Sequence, residues 1–397
     1  MSASILHPAD EAAYAKMCAA APCWDAIVTG VDALGLDKEV LLHAGPPFES
    51  AQSVSMPILN SACVAAVYEG LADDFDSAEA MIRAGEIRLE PAQDSAVVTP
   101  LASVVSASMP LHRVRDSNYP ANVTYAPLNG GMRAPMRLGL RSQAVLDHIR
   151  WLNGPWAQWL DGALTRPLDI LPLAVSALRA GDDCHGRTPA GTRAMMDALS
   201  TAGLDNDLRD FRDNSPPLFL NLWMAASKCL MLAGDGIAGS SFVTAAAANG
   251  VDSGIQVAGL PGQWFQAPAS APRGRFDVDL PPARALPAIG DSAVVECLGL
   301  GAMALQLSPQ QEANFADFLP PDHAGRARQL LCGPHPGFET LDCPLGLSAR
   351  AVCAAGRGPI IGLGILDLAG ESGRLGGGIY DMPVDVFDAA VGVLDTQ

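Results

Sequence analysis

Apolar positions recur at helical spacing through the middle of the chain. Val145, Ile149, Leu152, Trp156 and Leu160 fall three to four residues apart, which predicts helix from Ser142 to Leu164 across a Gly154-Pro155 break. The same texture runs through Leu168 to Ala180, resumes after Pro189 to Leu199 and returns in Leu218 to Ala233. A mainly helical domain is therefore expected over 141–235. Ahead of it, an alanine-rich run from Pro8 to Ala20 predicts a helix with Asp10 to Ala12 in its first turn. Glu39 to His43 predicts a strand closed by Gly45-Pro46-Pro47. Pro57 to Leu71 reads as a helix, and Val97 to Val105 with Leu111 to Val114 as short strands around Ser106 to Pro110, so that 1–140 forms an α/β unit.

The last third changes texture. Glycine-rich turns separate the short apolar runs Gly254 to Ala258, Ala293 to Leu298 and Pro359 to Leu366, which predicts a second α/β unit over 236–397. Within it, Ser240-Ser241 before the run Phe242 to Asn249, with Gly250 behind, predicts a short helix with a hydroxyl cap and a terminal glycine. The expected fold class is α/β (α+β), two mixed α/β domains flanking a mainly helical one.

Composition narrows the function. Hydrophobic residues at 49% and charged residues at 17% of 397 positions argue for well-buried cores rather than disorder. A net charge of −18 with no Lys/Arg run repels phosphate backbones and argues against nucleic acid. Met1 to Tyr14 has no basic stretch followed by an apolar one, and Ala351 to Ala369 is interrupted by Arg357, Gly358-Pro359 and Asp367. Neither export nor a membrane span is expected. Nine scattered cysteines without a Cys-x-x-Cys pair read as reduced thiols of the cytoplasm.

The chemistry concentrates in Gly181-Asp182-Asp183-Cys184-His185-Gly186-Arg187-Thr188-Pro189. Thr188 has the character of an N-cap and Pro189 that of a first helical residue, so the free N–H groups of the helix start, together with Arg187, would hold an anion. The plainer reading pairs Arg187 with Asp182 or Asp183 and buries Cys184. Ser240, Ser241 and Thr244, with Asn249 and Asp252 behind them, offer a second anion-binding helix start, or ordinary capping. Asp291 and Ser292 sit on a turn entering an apolar segment that holds Glu296; their plain reading is another cap. Asn221 and Lys228, seven apart, share a helix face, and Lys228 either snorkels to solvent or meets a phosphate in a cleft. Cys184-His185 and Cys332-x-x-His335 lack a second ligand pair, so no metal is expected. Gly362-x-Gly364 and Gly376-Gly377-Gly378 lack a nucleotide fingerprint, there is no Gly-x-Ser-x-Gly elbow, and no cofactor is expected.

Taken in order, several blocks resemble the YlbE-like family, domain of unknown function 1116, found beside FdrA-type proteins. They are Leu42 to Pro47, Ser106 to Pro110, Gly181 to His185, Phe219 to Leu222 through Lys228, Gly239 to Ser241 with Asn249-Gly250, Trp264-Phe265 with Ala267 to Ala269, and Gly290 to Ser292 through Gly299. The resemblance spans most of the chain. It implies a subunit of an oxamate carbamoyltransferase system, which interconverts oxalurate plus phosphate with oxamate plus carbamoyl phosphate, assembled as a homo- or hetero-oligomer with an FdrA-like partner. On that footing His185 and Arg187 are the expected catalytic residues, and Thr188, Asn221, Lys228, Ser240, Ser241, Thr244, Asn249, Asp291 and Ser292 the expected binders of carbamoyl phosphate, oxamate or a similar small anion. Two alternatives stay open: a non-catalytic scaffold subunit that binds the FdrA-like partner, and an enzyme acting on another small carboxylate or amide.

Overall fold

In the computed structural model, residues 6–132 and 134–396 are described. Met1 to Ile5, part of the segment read as lacking an export signal, lie outside them. Among the described residues the architecture is α+β, with five small sheets, two of which pack on one buried helix.

That helix, Leu218–Leu232, is mostly apolar and carries apolar residues on every side, the signature of an element with no solvent face. Nearly all of it is buried, including Asn221 and Lys228. One flank packs on an antiparallel sheet of Pro22–Thr29, Pro110–Asp116, Val123–Pro127 and the two-residue strand Leu168–Asp169. Side-chain bonds fasten the pair: Thr124 Oγ1 donates to Ala225 O at 2.7 Å and Asn221 Nδ2 to Pro127 O at 2.7 Å. Its other flank meets the helix Ala293–Leu298 and the strand Val243–Asn249.

The strand Val243–Asn249 belongs to a second four-stranded sheet with Asp252–Val257, Phe265–Pro268 and Ile289–Gly290. Here the expected helix Phe242–Asn249 is corrected. Its residues are buried on both faces, which erases the alternation that marks a strand. Asn249-Gly250 is not a helix end but a hairpin turn: Gly250 has φ +84, and Asn249 Oδ1 accepts the N–H groups of Val251 and Asp252. Ser240 and Ser241 accordingly cap no helix that follows them in sequence; Ser241 Oγ instead accepts the Arg350 N–H at 3.2 Å, at the start of the helix Ala349–Ala355.

The helices expected at Pro8 to Ala20, Pro57 to Leu71 and in the middle third are present, the last as Gln143–Trp151 and Ala157–Ala163 joined by one π-helical turn, Leu152–Trp156, that contains Pro155. Val97 to Val105 is mostly irregular: Val104–Val105 pair with His43 and Leu42, and Val97 makes an isolated bridge to Tyr125. The core is shared widely: a cluster of buried apolar residues extends from Ala13 to Leu394. No helix among the described residues is long and apolar enough to cross a membrane.

Candidate functional site

The Gly181 to Pro189 loop is folded by its own acids. Asp183 Oδ1 accepts the backbone N–H groups of His185 and Arg187, both at 2.8 Å, and burial pushes its carboxyl up to about 6. Cys184 is fully buried with φ +62, a strained setting for a residue with a β-carbon. Asp182 Oδ2 accepts the Gly191 N–H at 2.9 Å, so the start of the helix Pro189–Asp197 is filled by a carboxylate of the same chain. This corrects the expectation of a vacant helix start. Thr188 makes no side-chain cap either; it donates to Pro216 O at 3.1 Å, and Thr192 donates to the same oxygen at 2.6 Å.

His185 Nδ1 lies 2.6 Å from Glu296 Oε1. Burial lowers the imidazole pKa, but Glu296 and Asp183 outweigh it and the net shift is upward. Glu296 Oε1 also accepts the N–H groups of Ala302 and Gly362, while its buried Oε2 has no partner among the described residues. The arrangement orients one ring nitrogen of His185 and leaves the other for proton exchange, the usual logic of a carboxylate–imidazole pair. Arg187 is partly exposed, with Nε 3.8 Å from Asp182 Oδ1.

Lys228 does not snorkel. It is fully buried, its Nζ donates to Thr244 O at 2.8 Å, and burial lowers its pKa to about 8. Asp291 accepts from Gly45 N, Gln93 Nε2, Thr99 N and Thr99 Oγ1, and burial raises its pKa to about 6. Ser292 begins the helix Ala293–Leu298 without a side-chain cap bond. Asn249 Nδ2 is spent on Pro46 O.

Ser240 and Ser241 belong to a third network. Asp10, fully buried in the first helix, accepts Ser240 Oγ, Ser241 N, Ser241 Oγ and Ser348 Oγ at 2.6–2.9 Å. Arg187, Ser240 and Asp291 thus sit in three separate polar clusters and share no hydrogen-bond partner among the described residues. Neither metal-ligating group of His, Cys, Asp or Glu nor paired cysteine is found among those residues.

Asn221 leads elsewhere. It accepts from Asn129 Nδ2 at 3.1 Å, and Asn129 Oδ1 accepts Arg137 Nη1 at 2.6 Å. Arg137, 9% exposed, also donates to Gly130 O and Gly131 O. This network backs an open cleft of ≈ 780 Å³ lined by Gly131, His148, Trp151, Asp207, Asp210 and Phe211, among others. Phe211 stands edge-on to Trp151 with ring centroids 4.7 Å apart. Ser215, also on the wall, accepts the Gly131 N–H at 2.9 Å and adjoins Pro216, the acceptor of Thr188 and Thr192. Sequence reasoning did not single out Arg137, His148, Trp151 or Phe211; the available signal was Arg137 beside Met136 and Leu138, a charge in an otherwise apolar turn.

The chain is similar to known proteins in sequence and in overall fold. The family model of the oxamate carbamoyltransferase subunit AllG matches residues 87–292. The uncharacterized protein YahG of Escherichia coli (strain K12) is 31% identical over 375 residues, covering 90% of this chain and 79% of the relative. The oxamate carbamoyltransferase subunit AllG of the same organism is 32% identical over 380 residues, covering 90% of each chain. A crystal structure of a conserved protein of unknown function from Enterococcus faecalis V583 superposes with a TM-score of 0.91 at 25% identity, covering 98% of this chain and 97% of that one. By its family-model match and its near-full-length likeness to that subunit, the chain belongs to the AllG family of oxamate carbamoyltransferase subunits.

Proposed function

We propose that the protein serves in a cytoplasmic complex that interconverts oxalurate plus phosphate with oxamate plus carbamoyl phosphate, and that it works there with an FdrA-like partner subunit. The observation that carries this reading is the extent of the kinship, 32% identity across 90% of both chains with a subunit so named. Carbamoyl transfer asks a protein to hold the phosphate, polarise the carbonyl and align the acceptor nitrogen. In this reading His185, oriented through Nδ1 by Glu296, handles the proton, and the partly exposed guanidinium of Arg187 meets the anion. Thr188 and Asn221 hold neighbouring segments in place. Lys228, Ser240, Ser241, Thr244, Asn249, Asp291 and Ser292 keep the frame rather than touch substrate.

The test is phosphate-dependent breakdown of oxalurate by the chain combined with its partner subunits. Arg187→Ala is expected to lower kcat/KM roughly a hundredfold. A variant matching wild type removes Arg187 from the site, and absence of turnover in the assembled wild type removes the reaction. A second reading, a scaffold subunit, draws support from the internal satisfaction of the loop by Asp182 and Asp183. It expects co-purification with the partner and unchanged turnover when His185 and Arg187 are altered singly.

A further inference from the structure

We propose that the cleft beside Arg137 binds a small carboxylate carrying amide or ureido N–H groups, with the carboxylate directed inward to Arg137 and the N–H end outward to Asp207 and Asp210. The ligand class rests on the carbamoyltransferase reading above; the charge layout of the cleft does not.

The inner end is a set of donors lacking an anion. Arg137 bonds only to amide oxygens, those of Asn129, Gly130 and Gly131, and to the Met132 sulfur; no carboxylate pairs with it among the described residues. A buried cation without a counter-ion is costly, and a ligand carboxylate is the group that offsets that cost. Beside it, Asn153 Nδ2 is buried with no partner among the described residues. Asn153 lies in the π-helical turn Leu152–Trp156, a distortion that recurs at functional sites because it re-aims side chains. Arg137, Asn153 and His148 border a gap of ≈ 20 Å³, and His148 also lines the large cleft.

The outer end has the opposite character. Asp207 and Asp210 line the mouth, with Trp151 and Phe211 as apolar walls. A phosphate or a dicarboxylate would place its second charge against those acids, whereas an amide or ureido group presents N–H donors to them. A monoanion with one carboxylate end and one N–H end matches both.

The experiment measures oxamate binding to the full chain by calorimetry, with oxalate and inorganic phosphate as comparison ligands. Wild type is expected to bind oxamate at least tenfold more tightly than either. Asn153→Asp supplies a resident carboxylate next to Arg137; it is expected to raise Tm and to weaken oxamate at least tenfold, which separates lost binding from lost folding. Asp207→Ala, at the mouth, is expected to narrow the preference for oxamate over oxalate. Undiminished oxamate binding in Asn153→Asp, or oxalate or phosphate binding as tightly as oxamate in wild type, overturns the proposal. If the assembled complex turns over oxalurate while Asn153→Asp binds oxamate normally, the cleft assignment fails and the subunit reading stands. Oxamate binding that Asn153→Asp abolishes, without turnover in the complex, leaves the cleft and removes the reaction.

Discussion

Lys228 Nζ lies 2.8 Å from the carbonyl oxygen of Thr244, joining the central helix to a strand that the sheet leaves partly uncovered. The neighbouring strand Ile289–Gly290 pairs only with Ala248 and Asn249. Side chains fill the rest: Gln93 Nε2 takes Ala246 O at 3.0 Å as Lys228 takes Thr244 O. A cation so placed is half of a structural splice, and its burial should be visible in the pH dependence of stability.

The folded-state pKa of Lys228, lowered to about 8 by burial, lies below its ordinary value of 10.5. Between those values the unfolded chain holds a proton that the native chain does not, so stability rises with pH across that window. Below it the cost is fully present, roughly 3 kcal/mol. Urea unfolding of wild type and Lys228→Met from pH 7 to 10 should show the difference between them shifting in favour of wild type as pH rises. A difference independent of pH would mean that the ammonium is not buried as described.

His185 gives the opposite sign. Its folded-state pKa is raised because Glu296 and Asp183 outweigh burial, so the pair stabilises the fold fully below the free-imidazole pKa and progressively less as pH climbs through the raised value. In Glu296→Gln the main carboxylate is gone and burial is left, so the His185 pKa should fall. Histidine ring NMR titration of the two proteins checks this; an unmoved resonance refutes the control by Glu296.

These two residues also mark what a sequence exposes. Helical spacing placed Leu218 to Ala233 well because its pattern is local, and the same holds for Ser142 to Leu164. The sequence offers Lys228 solvent or a phosphate, because nothing nearby announces that Thr244 O waits for it across the core. The His185 partner lies 111 residues away at Glu296, and the acceptor of Ser240 and Ser241 lies at Asp10. Polar clusters assembled from distant segments carry no spacing signal. The strand Val243–Asn249 was misread for another reason: alanines buried on both faces suit a helix as well as a doubly covered strand. Asn249-Gly250 ahead of Val251 to Val257 was the hairpin signal that distinguished them.

That turn supplies a test of its own. Gly250 has φ +84, and a β-carbon there would come within 2.9 Å of the Ser55 Cβ and Oγ atoms. Ser55 Oγ in turn donates to Asn249 O at 2.7 Å. Gly250→Ala combines backbone strain with a displaced hydrogen bond and should cost about 2 kcal/mol in chemical denaturation. Gly35→Ala, also at positive φ but with no atom within 4 Å of the added carbon, should cost less. Equal losses would show that the Ser55 contact contributes nothing.

The Asp10 cluster sets the sharpest boundary between frame and site. One carboxylate receives three hydroxyls and a backbone N–H from Ser240, Ser241 and Ser348, joining the first helix to the approach to the strand Val243–Asn249 and to the start of the helix Ala349–Ala355. Charged acceptors make the stronger hydrogen bonds, and removing the acceptor strands every donor at once, so Asp10→Ala should lose at least about 3 kcal/mol of unfolding free energy. Ser348→Ala removes a single donor and should lose about 1 kcal/mol. Because the two groups touch, the losses should be non-additive: the double variant should fall short of the sum by about 1 kcal/mol, a coupling that distant sites lack. Additive losses, or an Asp10→Ala protein as stable as wild type, would release Ser240 and Ser241 from the frame and return them to the list of anion-binding groups.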